Sequence, residues 1–256
     1  MRQREQRLIN TERVEAIPAW LVRARGNATA RRLAQSDWLL RRKSDGRFLA
    51  AIDGESLQPL DPAAMTPHNG IGDALRAVAR GFGVAIELDP RAPPYAALAI
   101  PDDYGDRHGL SPVAEPAELA YAGRDRYQRP LWLLAPAARA WQRMREVALA
   151  DGVQLDAISG YRSHAYQLGI FARKLARGQT VEQILSVNAA PGYSEHHSGH
   201  AIDIGTPGEP PAEESFENTA AFAWLMDRAI DFGFTMSYPR DNPHGITYEP
   251  WHFRHG

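Results

Sequence analysis

Ser194-Glu195-His196-His197-Ser198-Gly199-His200-Ala201-Ile202-Asp203 decides how this chain is read, together with Glu249-Pro250-Trp251-His252-Phe253-Arg254 further on. A catalytic zinc ion typically takes three nitrogen or oxygen ligands and keeps a fourth position open. The chain has no cysteine, so thiolate metal sites, disulfides and cysteine nucleophiles are excluded. His196, Asp203 and His252 supply a three-ligand set, and Gly199 lets the backbone turn between the first two. A strand over Ala201–Asp203 places Ala201 and Asp203 on one face and Ile202 and Ile204 in the core. A carboxylate between buried isoleucines is costly unless it is paired, and ligating a metal satisfies it. Glu249 is the candidate general base. Pro250 biases it towards an extended conformation, so that Trp251 and Phe253 turn one way and His252 and Arg254 the other. A carboxylate there can take a proton from water and pass it to a leaving amine.

Working outward, the flanking sequence predicts an α+β arrangement. Trp141, Met144, Val147 and Ala148 recur at helical spacing up to Asp151-Gly152. Val153–Ile158 reads as a strand. Ser163 caps a helix with Leu168, Phe171, Ala172 and Leu175 on one face, and Thr180 with Gln183 forms a capping box. A further helix carries Phe222, Leu225, Met226, Ala229 and Ile230 on its core side and ends at Gly233. In the N-terminal half, Ser36–Ile52 reads as a hairpin around Ser44-Asp45-Gly46. Asn69 caps a helix ending at Arg80, and Val84–Leu88 and Ala96–Ile100 read as strands. The Pro- and Gly-rich Pro101–Pro116 stretch reads as a linker. The expected division is therefore residues 1–112, a region of unassigned role, and residues 113–256, which hold every chemistry-bearing stretch.

The 256 residues suffice for one large domain or two modest ones. With 44% apolar and 23% charged residues the balance is that of a soluble globular protein. Basic and acidic residues number 29 and 31, so neither sign dominates and no nucleic-acid partner is expected. The basic Arg23–Arg32 stretch reads as a solvated helix face. No window has the apolar length of a membrane span, and no signal-peptide apolar run follows the N-terminus. The sequence as written implies the cytoplasm, or the periplasm if it is a mature form. Oligomeric state is not legible.

The pattern Ser194, His196, Gly199, Ala201, Asp203 followed by Glu249, Trp251 and His252 resembles the VanY-type D-Ala-D-Ala carboxypeptidases. Their wider group includes dipeptidases, L,D-carboxypeptidases, phage endolysins and the hedgehog domain. Ser159-Gly160-Tyr161-Arg162-Ser163 with Gln167 adds a second match, and the likeness runs from about Pro116 onward. The resemblance implies a small antiparallel sheet with helices packed on it, here preceded by an α/β N-terminal region. It implies zinc on His196, Asp203 and His252, with Glu249 as base. Arg162 would stabilise the oxyanion, a role suited to a fixed guanidinium. Tyr161, Gln167, Ser194 and Trp251 fall at substrate-contacting positions.

The remaining histidines fall outside the pattern. His197 and His200 flank the first ligand at variable positions, His164 reads as a residue either on the surface or behind the site, and His68, His108, His244 and His255 as exposed loop residues. Glu195 is the rival base nearby, also at a variable position. The resemblance thus implies a zinc carboxypeptidase that releases terminal D-alanine from peptidoglycan stem peptides. The alternatives are an L,D-carboxypeptidase acting on recycled tetrapeptides and a zinc-binding module without activity.

Overall fold

The computed structural model describes residues 6–24, 26–66, 68–89 and 92–256; Arg25 of the basic Arg23–Arg32 stretch and the start of the N-terminal segment lie outside the described residues. Backbone contacts divide the chain into two compact units, Met1–Ile86 with Pro116–Tyr121, and Glu87–Glu115 with Ala122–Gly256.

In the first unit, the strands β1 (Arg7–Asn10), β2 (Val14–Pro18), β3 (Trp38–Arg42), β4 (Phe48–Asp53), β5 (Ser56–Pro59) and β6 (Glu118–Arg124) lie in the order β5-β4-β3-β2-β1-β6. The pairings from β5 through to β6 are antiparallel. The β3–β4 hairpin closes at the expected turn, where Gly46 takes φ +72° and Asp45 Oδ1 accepts the Arg47 N–H at 3.1 Å. Helix α1 (Asn27–Gln35) has no buried residue, which fits its basic, polar sequence. Helix α2 (Ile71–Arg80) starts where Asn69 Oδ1 accepts the Ile71 N–H at 2.9 Å and ends at Gly81, φ +78°. Its Ile71, Ala74 and Ala77 recur at helical spacing and pack on Ile9, Val14, Leu40 and Leu49 of the sheet.

Two expected strands are absent. Val84–Leu88 forms no strand: Ile86 makes only an isolated bridge, Val84 is half exposed, and none of the five residues is fully buried. Ala96–Ile100 follows a helical turn, α3 (Pro93–Ala96), and Ala99 sits at φ +52°. Proline fits the first turn of a helix, where its missing N–H costs nothing, and the Ala96 N–H returns to the Ala92 carbonyl at 3.1 Å. The punctuated Pro101–Pro116 stretch holds helix α4 (Tyr104–His108), with Tyr104 buried and its hydroxyl accepting the Ala190 N–H at 3.3 Å.

The second unit contains β7 (Pro130–Leu133), α5 (Ala135–Ala150), β8 (Asp156–Ser159), α6 (His164–Leu175), α7 (Val181–Leu185), β9 (Ala201–Gly205), α8 (Ala220–Arg228), β10 (Phe234–Met236) and β11 (His252–His255). Its antiparallel sheet has the order β10-β11-β9-β8. Both capping expectations hold: Ser163 accepts from the Tyr166 N–H, and Thr180 with Gln183 makes the reciprocal box. Helix α5 buries Trp141, Met144 and Ala148. The apolar face expected of α8 is only partly internal. Ala221 and Leu225 are buried, whereas Met226 is exposed because it lies one residue, about 100°, around the helix from Leu225. The α-helix gives way after Arg228 to a 3-10 turn over Ala229–Phe232, in which Ala229 is buried and Ile230 exposed, before Gly233 ends it. Among the described residues no helix is long and apolar enough to cross a membrane.

Phe171 of α6 is fully buried with Leu98 and Ile184, so it ties the segment before β6 to this unit. Phe171→Ala should destabilise the fold by about 3–5 kcal/mol, read as a lowered urea midpoint.

Candidate active site

The sheet order places the chemistry. Strand β11 pairs with β9 so that His252 stands directly opposite Asp203. On the other side of β9, Ser159 at the end of β8 also pairs with Asp203, next to an irregularity in the ladder. The segment Gly160-Tyr161-Arg162 therefore leaves the sheet beside the Asp203 carboxylate. His196 arrives from a tight turn, Glu195–Ser198, which Gly199 closes at φ +73° before β9 begins.

His196, Asp203 and His252 are all buried, and one nitrogen or oxygen atom from each lies within 4.8 Å of the others. His196 Nε2 is 3.3 Å from Asp203 Oδ2, and His252 Nδ1 is 3.1 Å from Asp203 Oδ1. The two imidazoles stand nearly perpendicular, with centroids 4.9 Å apart. His196 donates its Nδ1–H to the Gly160 carbonyl at 2.8 Å, which leaves the Nε2 lone pair facing Asp203. Glu249 Oε2 is 3.8 Å from His252 Nδ1. Arg162 Nη2 is 3.8 Å from Asp203 Oδ2, and its Nη1 donates to Gln167 Oε1 at 2.9 Å. Gln167 in turn donates to the Ala189 carbonyl at 3.0 Å.

These groups border a cleft of about 320 Å³ that Ser194, Trp251 and Tyr238 also line. Tyr161 does not line it; its hydroxyl donates to the Glu115 carboxylate instead. Of the residues singled out in the sequence, Arg162, Gln167, Ser194, His196, Asp203, Glu249, Trp251 and His252 are thus brought together, and Tyr161 is turned aside.

The electrostatics ask for a cation. Burial works to raise the Asp203 pKa, but His196 and His252 hold it well below the usual carboxylate range. Burial works to lower that of His252, yet its bonds to Asp203 and Glu195 raise it to about 10. Burial, with Asp203 adding to it against His252, pushes Glu249 up to about 7. Carboxylates that favour positive charge at His252 form a cradle for a cation, and the donor set, two imidazoles and a carboxylate, suits zinc.

The surrounding histidines have other partners. His197 is fully buried, donates Nδ1–H to the Arg162 carbonyl at 2.6 Å and accepts the Gly192 N–H on Nε2 at 3.1 Å. Burial keeps it neutral. His164 takes the second of its two readings: it is buried, with its Nε2–H donated to the Val113 carbonyl at 2.8 Å and its ring 4.4 Å from that of His197. His108 and His244 are half-buried rather than exposed, each donating Nδ1–H to the other's carbonyl at 2.8 Å. His255 is half-buried too, stacked on His200 at 6.2 Å. His68 is exposed as expected.

Residues 131–256 match the family described as VanY, D-alanyl-D-alanine carboxypeptidase. The bifunctional D-Ala-D-Ala dipeptidase and D-Ala-D-Ala carboxypeptidase VanXYC of Enterococcus gallinarum is 31% identical over 157 residues, 58% of this chain and 78% of that protein. The chain belongs to the VanY family. Putative carboxypeptidase YodJ of Bacillus subtilis is 38% identical to this VanY-family chain over 124 residues, 46% of the chain and 44% of YodJ. The chain therefore spans less than half of that relative's length. Among solved structures, the LdcB LD-carboxypeptidase shares 31% identity with a TM-score of 0.51, over 55% of this chain and 69% of that one.

Two features of this VanY-family site escaped the sequence. Tyr238 is buried in the cleft wall with its ring 4.8 Å from that of His252, and burial, reinforced by Glu195 and Glu249, raises its pKa and keeps the phenol neutral. Gly160 holds His196 through its carbonyl, and a Cβ there would stand 2.8 Å from both the Trp132 carbonyl and Leu131 Cδ1. Gly160→Ala must shift that backbone, so zinc affinity measured by competition with a chromophoric chelator should fall about 10-fold or more.

Proposed function

We propose that this chain is a zinc-dependent carboxypeptidase that removes the terminal D-alanine from peptidoglycan stem peptides. The observation that carries the reading is the convergence of ligand atoms from His196, Asp203 and His252 within 4.8 Å, with Glu249 3.8 Å from His252 Nδ1 and Arg162 3.8 Å from Asp203 Oδ2. His196, Asp203 and His252 would hold the ion, and the names of the curated relatives support the substrate class. Residues 113–256 contain all these groups; residues 1–112 are proposed as an accessory region.

Zinc bound there supplies Lewis acidity and lowers the pKa of water towards neutrality. Glu249 takes the proton from the attacking water and delivers it to the amine nitrogen as the C–N bond breaks. Its buried carboxyl is tuned for that exchange, and a cation in the cradle lowers its pKa from the value of about 7. Arg162, braced by Gln167, offers fixed N–H donors to the charge that develops on the carbonyl oxygen. Ser194 and Trp251 line the cleft where the peptide would lie.

The cleft also suits a peptide with a free carboxylate. Lys174 stands two turns beyond Gln167 on α6, lines the cleft near Arg162, and makes no ion pair among the described residues. Burial, then Arg162, lowers its pKa, a strain that an anionic ligand relieves. The second reading is an L,D-carboxypeptidase, favoured by the fold shared with LdcB. A zinc module without activity is disfavoured because both Glu249 and Arg162 border the cradle.

Glu249→Gln should keep stoichiometric zinc while turnover falls about 10²–10⁴-fold; unchanged turnover would exclude it as the base. Mass spectrometry of products from a pentapeptide ending in D-Ala-D-Ala and from the corresponding tetrapeptide separates the two specificities. Loss of D-alanine from the pentapeptide alone is expected, with no product after exhaustive chelation. Cleavage of the tetrapeptide alone would establish the second reading.

A further inference from the structure

We infer that Glu195, held by Ser237, is a positioning residue that fixes the tautomer of His252 so that Nδ1 faces the cation cradle. The inference rests on the metal-site reading above. A neutral imidazole carries one N–H and one lone pair, and the nitrogen with an acceptor behind it keeps the proton. His252 Nε2 lies 2.9 Å from Glu195 Oε2, on the opposite edge of the ring from the Nδ1 that meets Asp203. With the proton held on Nε2, the Nδ1 lone pair is free to ligate. Without that acceptor, the favourable place for the proton is Nδ1, facing Asp203, and the ring offers the cradle no lone pair.

His196 solves the same problem with the opposite nitrogens, because the Gly160 carbonyl takes its Nδ1–H and Nε2 faces inward. A backbone carbonyl serves one ring and a side-chain carboxylate the other. Glu195 is itself held in place: Ser237 Oγ donates to the same Oε2 at 2.6 Å, and Arg254 Nε stands 3.7 Å from Oε1. Its side chain is only 21% exposed. One turn, Glu195–Ser198, thus carries both a ligand and the group that orients the other ligand. The same contacts separate Glu195 from the role of base, since it meets the ring at Nε2 whereas Glu249 approaches Nδ1. A carboxylate behind a metal-bound imidazole typically changes metal affinity 10–100-fold when removed.

The test is zinc affinity of the full chain and its Glu195→Ala, Glu195→Asp, Glu195→Gln and Ser237→Ala variants, by competition with a chromophoric chelator. The melting temperature of each metal-free variant is measured alongside. Glu195→Ala should bind zinc about 10–100-fold more weakly. Glu195→Asp, which draws the carboxylate back from Nε2, should fall between it and the wild type. Glu195→Gln, whose amide oxygen still accepts the Nε2–H, should recover most of the affinity, and Ser237→Ala should lose the least. In ¹⁵N-histidine spectra of the zinc-loaded protein, the His252 Nε2–H signal should be present in the wild type and Glu195→Gln and shifted or lost in Glu195→Ala. Affinities of Glu195→Ala and Glu195→Asp within twofold of wild type would overturn the inference, as would losses that simply track melting temperature. If Glu195→Ala does not fold, the Asp and Gln pair decides the matter by the same criteria. A wild-type chain that does not bind zinc would instead remove the metal-site reading, and this inference with it.

Discussion

Asp203 is a buried carboxylate set between Ile202 and Ile204 on an internal strand. Taking such a charge out of water costs several kcal/mol unless it is met by partners of opposite charge. Its partners come from three directions: His252 across the β9–β11 pairing, His196 from the turn before β9, and Arg162 from the segment after β8. The two histidines hold the carboxylate ionised, Arg162 stands next to it, and together the four groups line the cleft. The sheet order that sets His252 opposite Asp203 thus also sets where the site lies.

The paired histidines of the turn divide the work. His196 points to the cleft, while its neighbour His197 points the other way and ties the Arg162 carbonyl to the Gly192 N–H. The wall that carries the guanidinium is thus anchored by the residue next to the one that faces it. Gln167 adds a second brace from α6, whose start is fixed by the Ser163 cap. The cation-facing and wall-building functions are separate side chains on one short turn.

Local chemistry explains what was legible. The Asp45-Gly46 turn and the Ser163 and Thr180 caps depend on residues a few positions apart, and all appear where the sequence places them. The quartet His196, Asp203, Glu249 and His252 was legible because motif order selects it from the other histidines. Ala96–Ile100 departs from the strand its composition suggests because a short apolar run carries no period that separates strand from helix. Tyr161 was drawn from the cleft by Glu115, 46 residues earlier, and Glu195 gained its contacts from Ser237 and His252, neither of them near in sequence. Which nitrogen of a histidine is backed, and by what, depends on such distant segments.

The β9–β11 register also bears on how the protein folds. Asp203 and His252 are 49 residues apart, and His196 and Gly160 are 36 apart. Closing such loops costs entropy before any contact rewards it, which makes non-local pairings slow to form. A slip of one residue would put Trp251 or Phe253 opposite Asp203 and turn His252 to the other face. A refolding chain therefore stays blind to the cation until the two strands find their register, and the rate at which zinc affinity appears becomes a clock for that single pairing.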